Sequence, residues 1–168
     1  QRLKPLKEKV MPVNPFETRQ EVKSSVSGLK QALAHVKDGH PLGVFPAGEV
    51  STFREENEIV DKPWTNEAAK FIKKANVPVL PVYFHAKNSM AFYKFAKVSD
   101  DLRTAKIPSE MLTQRHREII VRIGFPITTK DQEDYQDLEE YKAFLRKKTY
   151  MLSSSFEKTK LITLFPKQ

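Results

Sequence analysis

Val77-Pro78-Val79-Leu80-Pro81-Val82-Tyr83-Phe84 is a near-continuous apolar run of strand length that follows a segment with helical spacing. It reads as a buried strand, with its two prolines at the start or on an unpaired side because they lack N–H donors. Just upstream, Thr65 can cap a helix carrying Ala68, Ala69, Phe71, Ile72 and Ala75, with Asn76 as a left-handed terminator. Earlier still, Leu42-Gly43-Val44-Phe45 reads as a short strand running into a Pro46-Ala47-Gly48 turn. Downstream, Glu118 to Gly124 reads as another core strand. Strands alternating with helices predict an α/β fold with a largely parallel sheet flanked by helices.

The remaining chain fits around this frame. Val10 to Val13 reads as a short strand, and Asn14-Pro15-Phe16-Glu17 as a capping box opening a helix. Val22, Val26, Leu29, Leu33 and Val36 then form one apolar stripe, and Gly39 supplies the stop. Val50 to Trp64 reads as a loop, Ala91 to Lys97 as helical, and Pro108 to Thr113 as a short helix. The helix from about Leu138 to Leu152 follows an acidic segment and turns basic at Arg146, Lys147 and Lys148, which complements a helix dipole. The 168 residues are expected to form a single domain.

Composition narrows the function. No cysteine is present, which excludes disulfides, thiolate metal sites and a cysteine nucleophile. The four histidines (His35, His40, His85, His116) show no metal-ligand spacing, so no metal or bound cofactor is expected. A net charge of +8 favours anionic partners, and the expected one is an acidic membrane surface. Nucleic acid is not expected, because Phe92 to Lys97 offers only a short basic–aromatic interleaving. Gly43 to Gly48 has the glycine spacing of a phosphate-binding loop, but Glu49 and Val50 stand where Lys and Ser/Thr are needed. A carboxylate there reverses the electrostatics and excludes that loop.

Phe45-Pro46-Ala47-Gly48-Glu49-Val50-Ser51 resembles the third motif of the lysophospholipid (glycerolphosphate) acyltransferase superfamily, usually Phe-Pro-Glu-Gly-Thr-Arg-Ser. Val77 to Val82 resembles its apolar fourth motif, and Val10 to Val13 its weaker second. With Asp61-Lys62-Pro63-Trp64, Asn88-Ser89 and Leu102-Arg103-Thr104, the ordered set is similar to bacterial ornithine-lipid-type acyltransferases, often labelled hemolysins. The resemblance covers most of residues 10 to 130. It implies an enzyme, cytoplasmic and peripheral at the inner face of the membrane, that moves a fatty acyl group from acyl-carrier protein or coenzyme A to a lipid precursor.

The family's base lies in a His-x4-Asp motif ahead of the second motif. No histidine here has an Asp five positions later. The chain is therefore expected to be the C-terminal part of such a domain, inactive alone, with no catalytic residue assigned.

Residues expected at the acceptor are Phe45, Pro46, Ala47, Gly48, Glu49, Ser51, Asn88, Ser89 and Arg103, with Lys87 as a second candidate for holding an anion. Trp64, Val79 and Pro81 are expected at the acyl chain or the lipid interface. Val50 replaces the usual Arg, which weakens phosphate recognition, and Glu49 would favour an ammonium, pointing to an amino-acid lipid. Alternatives are a non-catalytic lipid- or membrane-binding domain and, behind it, a nucleic-acid-binding domain. The acceptor, the acyl length, the donor and the oligomeric state stay open.

Overall fold

A computed structural model of the chain describes residues 22–53, 59–113 and 118–154. The expected strand at Val10 and capping box at Asn14 lie outside the described residues. Helix α1 (Val22–Lys37) ends at Gly39, whose φ of +86° suits a residue without a Cβ. The Gly39 and His40 N–H groups return to the carbonyls of Val36 and His35. Of the expected stripe, Leu33 and Val36 are half-buried and Leu29 is exposed.

Strands β1 (Thr52–Phe53) and β2 (Ile59–Val60) form a small antiparallel hairpin inside the stretch expected to be loop. Helix α2 (Asn66–Ala75) starts and stops as expected. The Thr65 hydroxyl accepts the Ala68 N–H, and Asn76 takes the left-handed conformation at φ 50°, ψ 53°.

The apolar run from Val77 is strand only in its second half, β3 (Val82–His85). Pro78 and Pro81 cannot donate, so upstream pairing reduces to an isolated bridge between Val79 and Ile127 and the Gly124 N–H bonded to the Pro81 carbonyl. Helices α3 (Met90–Val98) and α4 (Asp100–Thr113) then form a packed pair, α4 being longer than the short helix expected near Pro108. Strand β4 (Ile120–Ile123) pairs with β3 antiparallel, Val82 opposite Ile123 and His85 opposite Ile120. Short α5 (Thr129–Glu133) and α6 (Leu138–Tyr150) close the described chain, α6 running into a 3₁₀ turn at Met151–Ser153.

Mixed helix and strand is observed, but the largely parallel sheet is not: among the described residues both ladders are antiparallel. A single crossover helix carries a chain to the far end of a sheet, whereas the helical pair α3–α4 returns it to the end where β3 finished. Leu42 to Phe45 joins neither ladder.

The core centres on Ala69, Ile127, Tyr141 and Leu145, with Trp64, Ile72 and Phe144 packed around it. Buried Gln132 organises its polar side. Its amide donates to the carbonyls of Val77, Ile127 and Thr128, and its oxygen accepts the Tyr141 hydroxyl at 2.7 Å. The β3–β4 ribbon was expected in the core but is at most half-buried, on the face of Tyr83 and Arg122. Tyr83 meets Tyr150, and Arg122 donates to the Leu152 carbonyl, while Phe84, Val121 and Ile123 on the opposite face are exposed.

Candidate functional site

The Phe45–Ser51 segment is held as a turn. The Gly48 N–H closes onto the Phe45 carbonyl at 3.0 Å, and Gly48 has φ +67°. The Thr65 N–H bonds the Pro46 carbonyl at 2.9 Å, tying the turn to the start of α2. Phe45 is 80% exposed.

Two cations meet on Glu49. The Lys62 ammonium pairs with Glu49 Oε2, and the Arg103 guanidinium, reaching from α4, donates to the same oxygen at 3.2 Å. The Lys62 bond is the main reason the Glu49 carboxyl is held below the usual carboxylate range, and Arg103 adds to it. Arg103 is buried, whereas the Lys62 and Glu49 side chains keep 35% and 46% of their surface open to water. Of the two cations, Lys62 is the one that faces solvent.

Ser51 Oγ donates to Asp61 at 2.7 Å, and the Tyr150 hydroxyl donates to the other Asp61 oxygen. Burial first, then the Asp61 carboxylate, push the Tyr150 phenol up to about 12. These side-chain links extend the β1–β2 hairpin. Its register runs from Phe53–Ile59 to Thr52–Val60, continues as Ser51–Asp61, and is followed by Glu49–Lys62.

The α3–α4 pair borders this ground. Ser89 caps α3 by accepting the Phe92 N–H, while its own N–H and O–H both donate to buried Glu110 at 2.7 Å. Burial works against the Glu110 charge, but these bonds together with Lys106 hold its carboxyl below the ordinary value. The Asn88 N–H donates to the buried Tyr93 hydroxyl at 3.3 Å, and burial raises that phenol.

The sequence-expected residues therefore divide. Glu49 and Arg103 meet directly, and Ser51 joins them through the hairpin. Asn88 and Ser89 act in the anchoring of α3 and α4. Trp64 and Val79 pack against the core cluster, and Pro81 is buried. Glu49, expected to favour an ammonium, already carries two cations. Lys87 lines a separate open cleft of about 350 Å³ with His85 and Glu118. Lys62, Asp61, Tyr93, Glu110 and Tyr150 received no role from the sequence, because nothing in it marks which residue elsewhere in the chain each will meet.

Among the described residues, no group of three His, Cys, Asp or Glu side chains could hold a metal ion, and no helix is long and apolar enough to cross a membrane. His85 stacks edge-on against Tyr83, and His35 lies 4.9 Å from His40 at the end of α1. His116 lies outside the described residues.

A family model described as "Acyltransferase" matches residues 1–159. The chain is 26% identical over 121 residues to a lyso-glycine lipid O-acyltransferase of Phocaeicola vulgatus, a match covering 68% of this chain and 43% of that protein. The match thus spans under half the length of this curated relative. No solved structure matches the chain.

Proposed function

From the premise that this chain belongs to the acyltransferase family, we propose that the protein carrying it transfers a fatty acyl group from a thioester of acyl-carrier protein or coenzyme A to the hydroxyl of a lyso amino-acid lipid. The acceptor oxygen attacks the thioester carbonyl, the C–S bond breaks, and the hydroxyl proton passes through a general base to the departing thiol. The base is not found in these 168 residues in its family form, since none of their histidines begins a His-x4-Asp. The chain contributes the acceptor side and does not turn over by itself. The reaction takes place at the cytoplasmic face of a bacterial membrane, where a net charge of +8 favours anionic lipid.

The observation that carries this reading is the third-motif turn, with its carboxylate balanced by two cations. An amino acid joined to a fatty acid through its nitrogen has lost its ammonium and kept its carboxylate. Lys62, anchored beside Glu49 and open to solvent, suits that carboxylate. The name of the Phocaeicola vulgatus relative points to the same acceptor class.

Deleting the gene in its host should make the lyso lipid accumulate and the diacylated amino-acid lipid disappear from extracts analysed by mass spectrometry. Unchanged amino-acid lipids alongside altered glycerophospholipids would defeat the acceptor assignment. The exposed apolar face of β3–β4, with Phe84, Val121, Ile123 and Phe125, favours a second reading as a lipid-binding scaffold without chemistry. That reading requires vesicle binding by a gene product that leaves every lipid pool unchanged.

A further inference from the structure

We propose that Asp61 fixes the Ser51 hydroxyl as a hydrogen-bond acceptor toward the lipid, and that the group Ser51 accepts from is the amide N–H of an N-acyl amino acid. This rests on the acceptor class proposed above and assigns the contact that selects it.

The argument follows the protons. A carboxylate accepts and does not donate, so both bonds at Asp61 take their protons from the partners, Ser51 Oγ at 2.7 Å and the Tyr150 hydroxyl. A serine hydroxyl has one proton, and here it is committed to Asp61.

With its proton on Asp61, Ser51 has lone pairs but no proton left to offer, and the residue is only half-buried. A phosphate or carboxylate oxygen placed there would meet lone pair with lone pair. An N–H would be received. In an N-acyl amino acid a single carbon separates the amide nitrogen from the carboxylate. Ser51 and Lys62 stand on the successive cross-links Ser51–Asp61 and Glu49–Lys62 of one hairpin. An amide N–H on Ser51 and a carboxylate on Lys62 is the match these two links present. Asp61 is a positioning residue in this scheme, acting through Ser51.

The test uses the full gene product and two acceptors alike in chain, hydroxyl and carboxylate: a β-hydroxyacyl glycine and the matching β-hydroxyacyl glycolate ester, which lacks only the N–H. Wild-type kcat/KM should fall about tenfold or more from amide to ester, the cost of leaving an acceptor unmatched. Ser51→Ala should bring the amide-to-ester ratio near one, Ser51→Thr should retain it, and Asp61→Asn should reduce it. Melting temperatures measured alongside separate a lost contact from a lost fold, since an unfolding defect lowers both rates without changing their ratio. Equal wild-type use of amide and ester overturns the Ser51 assignment and leaves the proposed function standing. Failure of the wild type to acylate either one removes the proposed function and this assignment with it.

Discussion

Around Tyr141 four side chains are almost sealed from water, whereas around Glu49 the contacts are ion pairs and hydrogen bonds between groups that partly face solvent. In the first region Tyr141 and Leu145 are 0% and 2% exposed, and the polar groups that enter, Gln132 and the Tyr141 hydroxyl, satisfy each other. Burial pushes the Tyr141 phenol up to about 12. In the second region, Arg103 and Glu110 are the buried charges, and each reaches a partner on another segment. Stability should therefore reside mainly under α6, while geometry around the turn is set by directional bonds that add less to folding. A substitution can separate the two roles, because burial acts through area and the turn acts through orientation.

Leu145→Ala should have the largest effect, removing about 3 kcal/mol by leaving a cavity in the core, read as a fall in the midpoint of denaturant unfolding. A loss under about 1 kcal/mol would mean that the α2–α6 core is not where stability resides. Tyr141→Phe keeps the ring but orphans the Gln132 oxygen, so about 1–2 kcal/mol should go.

Glu110→Gln comes next, at about 1 kcal/mol near neutral pH, since the charge-assisted bonds from Ser89 weaken. Its pH dependence sharpens the comparison. Glu110 is held below its ordinary value of 4.5 in the folded protein, so its contribution is complete above that pH and is lost as pH falls through the lower folded value. The variant should show a flatter acid limb in thermal melts than the wild type, whereas Leu145→Ala should shift the whole curve.

Lys62→Met should be the mildest for folding. An exposed pair contributes under about 0.5 kcal/mol, so the melting temperature should barely move. Acceptor KM for the full gene product should nevertheless rise about tenfold if Lys62 holds the lipid carboxylate. An unchanged KM would leave the ion pairs at Glu49 a structural role only.

Much of the local structure was legible in the order of residues. Thr65 and Asn76 delimit α2 and Gly39 ends α1, because a cap needs partners no more than about four residues away. The third-motif turn was legible for a similar reason, Pro46, Ala47 and Gly48 being turn chemistry in consecutive positions.

Tertiary structure decided what depends on distance along the chain. Parallel and antiparallel pairing use the same apolar strands, so the alternation of elements could not reveal that α3 and α4 pack as a returning pair. Nor could it show that the two prolines restrict the Val77 run to a short ribbon. At the site the sequence gives Glu49 its charge but not its neighbours. Lys62 comes from beyond the hairpin and Arg103 from 54 residues away, and together they already occupy a carboxylate that the sequence left open for an ammonium. The sign of the field at a point is a sum over all nearby charges, and which charges are near is settled only when the chain has folded.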